Sequence, residues 1–416
     1  MDILAELKAR NVVNNITNKE KVQEFVKSKK YGLYCGFDPS FRSLHLGNYL
    51  MLVTLKRFVK AGYKTIALVG GATGQIGDPS GKKSERVLLE KKLIESNIES
   101  IKKQIESIVS GAKVLNNLDF YKDESLFTFL RDTGKLINVN YLLEKEIIAK
   151  RLESGISYAE FTYTLIQAFD FCYMYRHDDV HLQLGGSDQW GNITTGTELI
   201  RKTVGDNNGA CGMTLNLLTK SDGTKFGKSE GGALYLDKSL TSPYAMYQFL
   251  INQADEDVKK LLLALTFIPV EEIDEIMDKH NANKALRLAQ KTLAKTIITD
   301  IHGVKEAEKC EKISQTLFSG NLDELDEKDI KVALNGVPTF DADKSSYDIC
   351  DLLVNAQVCP SKSNARQLIQ SKSISVNGKL ISDIHEMINS KNAKGDKEKF
   401  SYIKKGKKNY FLVNWK

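Results

Sequence analysis

The sequence predicts an α/β protein in three parts: a parallel-sheet domain, then an α-helical domain, then a small α+β unit. Short apolar runs that end in glycine or a turn alternate with helical patterns through the first half. From Ser242 to Phe318 the pattern is almost wholly helical. From Tyr347 to Lys416 there are two short helical patterns and then Ile374-Ser375-Val376-Asn377-Gly378, a strand entering a turn.

Tyr31 to Phe37, Thr65 to Val69 and Val180 to Leu184 read as buried strands. Between the first two, Leu44, Met51, Leu52, Leu55, Phe58 and Val59 recur at helical spacing. Strand, helix, strand in that order gives parallel pairing through a right-handed crossover. Sheets of this kind bind ligands beyond the carboxyl ends of their strands. Polar, glycine-rich sequence follows each of the three runs. In the helical part Pro243 suits a first turn and Pro269 breaks the run. Leu286, Ala289, Leu293, Ile297 and Ile301 then mark one apolar stripe. The acidic, weakly periodic stretch 319–345 reads as a linker. The resulting division is a sheet domain over 1–220, a mobile connection over 221–241, a helical domain over 242–318, the linker, and the final unit over 346–416. A chain of 416 residues is too long for one ordinary core, in keeping with several domains.

Composition removes several classes. Hydrophobic residues at 42% and charged residues at 27% are ordinary for a soluble globular protein. No run approaches the roughly 20 apolar residues that span a bilayer, so no membrane association is expected. Met1 to Arg10 carries Asp2 and Glu6 and lacks an apolar core, which argues against a signal peptide. Cys35, Cys172, Cys211, Cys310, Cys350 and Cys359 are scattered, with neither a CxxC pair nor a zinc spacing. Small buried thiols in a reducing cytoplasm fit that scatter. The net charge of +6 says less than its placement: nine Lys lie between 391 and 416, against Asp396 and Glu398, a candidate polyanion-binding face.

Four segments carry chemistry. His45-Leu46-Gly47-Asn48 opens a helix after a strand and the turn Asp38-Pro39-Ser40. Positions 45 and 48 share a face of that first turn, where free N–H groups suit phosphate. Gly70-Gly71-Ala72-Thr73-Gly74-Gln75-Ile76-Gly77-Asp78-Pro79-Ser80-Gly81-Lys82 follows the next strand. It is neither a Walker loop nor a GxGxxG turn, yet its glycines around one carboxylate favour close ligand approach. Gly185-Gly186-Ser187-Asp188-Gln189-Trp190-Gly191-Asn192 places polar groups beside paired glycines, which suits a ribose or a polar substrate group. Lys225-Phe226-Gly227-Lys228-Ser229 holds two lysines in a glycine-rich run, able to swing onto a polyphosphate.

In this order and context the four segments resemble class I aminoacyl-tRNA synthetases, and within that class the bacterial tyrosyl type. The resemblance runs the whole chain, with Leu68 to Lys82 and Gln183 to Asn192 the most specific parts. It implies a Rossmann-like catalytic domain and a C-terminal RNA-binding domain shared with a small-subunit ribosomal protein. The common HxGH reads His45-Leu46-Gly47-Asn48 here, and Gly227 stands where Ser is usual, a frequent tyrosyl-type form.

The resemblance implies that Tyr34 and Asp170 meet the substrate phenol, and that Asp78, Tyr163 and Gln167 hold its ammonium. Tyr163, Gln167 and Asp170 share one helix face by spacing. A carboxylate accepts the phenolic proton, and phenylalanine would leave these groups unpaired. Family correspondence places His45 and Ser40 on the terminal phosphate of ATP, with Asn48 beside them. Lys225 and Lys228 would clamp the leaving pyrophosphate, with Lys82 and Arg86 as further candidates. Gly36, Asp38, Gly47, Gly186, Asp188, Gln189 and Ser229 would line the ATP and tyrosyl-adenylate site, and Cys35 would touch the ribose. Mg²⁺ is expected with ATP, and no protein metal ligand is assigned. Arg201 and Lys202 are candidate contacts to the tRNA acceptor stem. Lys362, Arg366, Lys372, Lys404, Lys405, Lys407 and Lys408 are candidate phosphate contacts in the C-terminal unit. The family is a symmetric homodimer, and the apolar stretch Leu126 to Leu143 is the candidate interface.

Two rival readings remain at this level. A tryptophanyl-type synthetase shares the class, but Asp170 opposite Tyr34, the long GGSDQWGN segment and the added C-terminal domain favour tyrosine. A non-catalytic RNA-binding protein on the same scaffold is disfavoured by Asp78, Asp170, Gln189, Lys225 and Lys228 standing together.

Overall fold

The computed structural model describes residues 2–80, 89–229, 232–319, 322–395, 399–406 and 409–415. Two units partition the chain: Met1–Thr241 with Phe249–Ile301, and Ser242–Gln248 with His302–Lys416.

The first unit is built on a six-stranded sheet. Its strands are β1 (Val13–Ile16), β2 (Gly32–Phe37), β3 (Thr65–Val69), β4 (Lys113–Asn116), β5 (Val180–Gly186) and β6 (Cys211–Leu215). They lie in the order β1-β6-β5-β2-β3-β4. All neighbours are parallel except the antiparallel edge strand β1. Every residue of β3 and β6 is buried, as a parallel sheet covered on both faces requires. From β2 the chain builds outward through β3 and β4, then crosses back so that β5 pairs with the other side of β2. That reversal opens a crevice at the carboxyl ends of β2 and β5, the usual ligand position in such sheets.

Helices fix the crevice walls. The helix Tyr49–Lys60 buries Leu52, Leu55 and Phe58 against the sheet. Tyr158–His177, capped by Ser157, and Trp190–Val204 flank β5. Further round, Asp255–Leu265 ends in carbonyls that two buried arginines cap. Arg10 donates to Leu263 O, Thr266 O and Ile268 O at 3.0–3.2 Å, and Arg57 donates to Ala264 O at 3.1 Å and to Thr266 O. Burial, with Arg10 beside it, lowers the Arg57 guanidinium to about 10.

Short strands follow at β7 (Lys228–Ser229) and β8 (Gly232–Ala233). Among the described residues no helix is long and apolar enough to cross a membrane. All six cysteines are unpaired thiols and buried.

The second unit contains β9 (Thr339–Ala342), β10 (Ser346–Asp348), β11 (Ile374–Val376), β12 (Lys379–Leu380), β13 (Met387–Asn389), β14 (Phe400–Lys405) and β15 (Asn409–Trp415). Five of them form a sheet in the order β12-β11-β14-β15-β9, with β9 parallel to β15. The helices Ile349–Asn355 and Lys362–Gln370 cover it through Leu352, Leu353, Ala365 and Ile369. Trp415 donates its indole N–H to Ser401 Oγ at 2.9 Å inside this core.

Three local expectations change. The acidic stretch 319–345 carries regular structure: the helix Glu327–Ala333 with Ile330 buried, and β9. Three of its acidic residues make a helix start, since Asp326 caps the helix and Glu327 and Asp329 sit at its positive end. Leu286 is 60% exposed and falls off the apolar stripe. Arg287 turns the chain at φ 52°, so the helix begins only at Leu288. His45 to Asn48 opens a 3₁₀ turn, Leu46–Asn48, with the α-helix starting at Tyr49.

Candidate active site

At the switch point lies a cavity of about 620 Å³. It collects Tyr34, Cys35, Gly36, Asp38 and Ser40 from β2 and the turn beyond it, and His45, Gly47 and Asn48 from the next helix start. Asp78 reaches it from the glycine-rich loop, Tyr163, Gln167 and Asp170 from Tyr158–His177, and Gly186, Asp188 and Gln189 from the end of β5.

Deepest in the cavity are Tyr34 and Asp170, each 1% exposed. Tyr34 Oη makes no hydrogen bond to the described residues. Burial, then the neighbouring Asp170, holds its phenol well above the usual tyrosine range. Asp170 accepts from Asn117 Nδ2 through Oδ2 and from Tyr121 Oη through Oδ1, both at 2.8 Å. Burial raises its carboxyl to about 7, against the pull of those two hydrogen bonds.

Two polar chains line the cavity, the first of them starting from this floor. Asn117 Nδ2 also lies 3.1 Å from Thr73 Oγ1, and Thr73 Oγ1 donates to Asp38 Oδ1 at 2.8 Å. Asp38 Oδ2 accepts from Tyr163 Oη at 3.0 Å. Gly70 makes room for this chain, because a Cβ there would stand 2.1 Å from Asp38 Oδ1 and 2.3 Å from Thr73 Oγ1. The second chain orients Gln189. Its Oε1 accepts from Asn192 Nδ2 (3.0 Å) and Gln167 Nε2 (3.3 Å), so its Nε2 is turned to Asp78 Oδ2 at 2.8 Å. Asn192 is buried; it donates to Ser80 Oγ at 3.3 Å and accepts from Thr164 Oγ1 at 2.9 Å. Burial, then Asp78, pushes the Asp188 carboxyl up. Cys35 is buried too, its thiol raised to about 12.

The two lysine-bearing and histidine-bearing segments interlock by backbone. Leu46 N donates to Leu234 O at 2.7 Å, Leu234 N to Gly227 O at 3.1 Å, and Leu236 N to Leu44 O at 2.9 Å. His45 N donates to Asn48 Oδ1 at 3.1 Å, so Asn48 serves here as an acceptor that closes the turn. Gly227 has φ +90°, and a Cβ on it would lie 2.5 Å from Gly47 N. This contact accounts for glycine where a serine is usual in the class. Phe41 stacks on Tyr235 at 4.7 Å across the same seam.

Other predicted residues lie elsewhere. Lys225 and Lys228 are exposed beside the cavity wall rather than in its lining, and Ser229 completes β7. Arg201 is engaged by Glu198 (2.8 Å) and Asp206 (2.9 Å), and Lys202 lies 4.0 Å from Glu198. In the second unit Lys362 pairs with Asp351, Lys405 donates to Val358 O at 2.8 Å, and Lys404 sits over the Tyr410 ring. Arg366 and Lys372 are exposed. Lys82, Arg86, Lys407 and Lys408 lie outside the described residues. The sequence reading missed Asn117, Tyr121, Thr73, Thr164 and Asn192 as site residues. Of these only Thr73 and Asn192 fall inside a quoted motif.

A switch-point cavity in a parallel sheet, edged by an HxGN turn that docks on a KFGKS segment, defines a class I aminoacyl-tRNA synthetase. Residues 27–319 match the family model for class I tRNA synthetases (W and Y), and residues 329–413 match the tyrosine–tRNA ligase SYY-like C-terminal domain. The tyrosine–tRNA ligase of Ureaplasma urealyticum serovar 10 is 53% identical, over 100% of this chain and 99% of that protein. That of Mycoplasma mobile is 46% identical, over 99% and 98%. Among solved structures, a C-terminally truncated mitochondrial tyrosyl-tRNA synthetase from Aspergillus nidulans superposes with a TM-score of 0.69 at 29% identity, covering 76% of this chain and 94% of that one. The chain belongs to the tyrosine–tRNA ligases of bacterial type.

Proposed function

We propose that this chain activates tyrosine with ATP and transfers it to tRNA(Tyr), and that Tyr34 and Asp170 select the phenol. One observation carries the proposal: a buried Tyr34 hydroxyl with no hydrogen-bond partner among the described residues, beside a buried carboxylate at the floor of the cavity. A substrate phenol donates to a remaining lone pair of Asp170 and pairs with Tyr34, while phenylalanine leaves the buried Tyr34 hydroxyl unpaired at a cost. A tryptophan indole N–H would also satisfy Asp170, but it brings no hydroxyl oxygen for Tyr34.

Asp78, Tyr163, Gln167 and Gln189 surround the substrate's ammonium and carboxylate. The carboxylate oxygen attacks the α-phosphorus of ATP in line, the bond to the bridging oxygen breaks, and pyrophosphate leaves. No covalent enzyme intermediate is needed, so catalysis is positioning and charge stabilisation. His45, Asn48 and Ser40 sit by the phosphates at the helix start, and Lys225 and Lys228 receive the leaving group. Lys82 and Arg86 are added candidates for the same task. Gly36, Asp38, Gly47, Gly186, Asp188 and Ser229 border the nucleotide, with Cys35 toward the ribose. Mg²⁺ enters as part of the ATP substrate. In the second step a terminal ribose hydroxyl of the tRNA attacks the tyrosyl carbonyl, and AMP leaves.

Arg201 and Lys202 are the proposed acceptor-stem contacts. Lys362, Arg366, Lys372, Lys404, Lys405, Lys407 and Lys408 form the proposed phosphate-binding set of the second unit. Leu126, Phe127, Leu130 and Val139 are exposed apolar side chains in 126–143, which supports that stretch as a homodimer interface. Six unpaired thiols support a reducing cytoplasm.

The test is tyrosine-dependent ATP–pyrophosphate exchange, with phenylalanine and tryptophan as competitors and Asp170→Ala alongside. Exchange with tyrosine alone, lost in the variant, is expected. Exchange driven by tryptophan would overturn the pocket assignment.

A further inference from the structure

We infer that Tyr121 is a positioning residue for substrate discrimination, its hydroxyl holding the Asp170 carboxylate as an ionised acceptor for the phenol. The inference rests on the reading of Asp170 given above.

Tyr121 closes the 3₁₀ turn Asn117–Tyr121 that follows β4. Its Oη lies 2.8 Å from Asp170 Oδ1 and 3.1 Å from the Ile166 carbonyl oxygen. A phenol has one proton, so only one of these acceptors receives it. Residue 166 is inside the helix Tyr158–His177, where its carbonyl already accepts from the amide four residues on. The ionised carboxylate is therefore the stronger claimant. Asp170 Oδ2 takes Asn117 Nδ2 from the other end of the same turn, and Asn117 Oδ1 is fixed by the Ala72 amide at 2.7 Å. One short turn thus clamps both oxygens and leaves their remaining lone pairs for a ligand.

The surroundings make this clamp matter. Around Asp170 stand Tyr34 from β2, Asp38 from the turn beyond it, Tyr163 from its own helix, and Asn117 and Tyr121 from the clamp. None of these is a cation. Burial and Asp38 favour the protonated acid, and only the two neutral donors oppose them. A protonated Asp170 would lose its advantage as a phenol acceptor.

The test is kcat/KM in pyrophosphate exchange, for tyrosine and for phenylalanine, from about pH 6 to pH 9. Tyr121→Phe keeps the ring against Phe169, 5.1 Å away, and removes only the hydroxyl. The acid limb of the tyrosine profile is expected to move up by about one pH unit. At neutral pH that is a loss of about fivefold, approaching tenfold at pH 6, carried by KM and recovered at pH 9, with phenylalanine unaffected. In an Asp170→Asn background the same substitution is expected to leave the tyrosine-to-phenylalanine ratio unchanged. Phe169→Leu, which strips the packing and keeps the hydroxyl, is expected not to move the acid limb. A loss equal at every pH, or one that persists in the Asp170→Asn background, would reduce Tyr121 to a packing residue. Absence of tyrosine-dependent exchange in the unmodified chain would instead sink the reading of Asp170 itself.

Discussion

Gly227→Ala places a methyl group where two signature segments meet. Its Cβ would lie 2.5 Å from Gly47 N and 3.1 Å from Gly47 Cα and Leu46 C, all backbone atoms that cannot rotate away. The φ of +90° adds the left-handed cost of about 1–2 kcal/mol for a residue with a Cβ. Relief requires Gly227 to back off, which breaks the Leu234 N–Gly227 O bond at 3.1 Å, worth about 1 kcal/mol net. The docked arrangement is then disfavoured by about 2–3 kcal/mol. If only the docked state brings Lys225 and Lys228 to the leaving group, kcat for exchange falls by about 30- to 150-fold. Tyrosine KM should hold, because the phenol floor and the Gln189 chain lie apart from this seam. The assay is steady-state exchange together with single-turnover adenylate formation, each across a tyrosine titration. A kcat within about twofold of the parent would refute the claim that backbone docking at Gly227 limits the reaction.

Three further outcomes follow from the site and the sheet. The folded Asp170 carboxyl, at about 7, lies above its unfolded value of 3.8, so its stabilising share is full below 3.8 and is lost as pH rises through 7. Between pH 5 and 8, Asp170→Asn should gain on the parent by about 2–3 kcal/mol, read from melting or denaturant curves; an unchanged gap rejects this. His181 stacks between Tyr31 (3.6 Å) and Tyr175 (4.6 Å), and burial lowers it to about 4 from 6.5. Its share of stability is therefore present above 6.5 and lost as pH falls toward 4. His181→Phe should flatten the acid side of a melting profile, and an identical slope would count against it. Asn192→Ala frees the Gln189 amide to turn from Asp78 and leaves the Thr164 hydroxyl unpaired. Tyrosine KM should rise about tenfold and stability drop by about 1–3 kcal/mol. An unchanged KM in a destabilised variant would confine Asn192 to packing.

Much of this was legible in the sequence because the class writes its site into strand ends. The runs Tyr31 to Phe37, Thr65 to Val69 and Val180 to Leu184 announced β2, β3 and β5, and the polar stretch after each supplied part of the cavity lining. Tyr163, Gln167 and Asp170 were readable as one face because a helix fixes their spacing. The clamp on Asp170 was not readable. Asn117 and Tyr121 lie 53 and 49 residues before it and meet it only because β4 delivers their turn to the same floor. Nor does local pattern reveal orientation: Asn192 stood in a quoted motif, yet its task of turning the Gln189 amide depends on Thr164 from another helix. The stretch 319–345 was misleading for a different reason. Acidic residues suggest solvated chain, but a carboxylate at a helix start is stabilised by the same peptide dipoles that order the helix.

The burial of all six cysteines makes the native chain a silent background for thiol chemistry. A maleimide dye offered to the folded protein should find little to react with, and the thiols should become titratable only on unfolding. Cysteines introduced at exposed Glu153 in the first unit and exposed Ser382 in the second would then be the sole labelling points. A donor and acceptor pair at those sites would report, molecule by molecule, how the separation of the two units responds when tRNA is added.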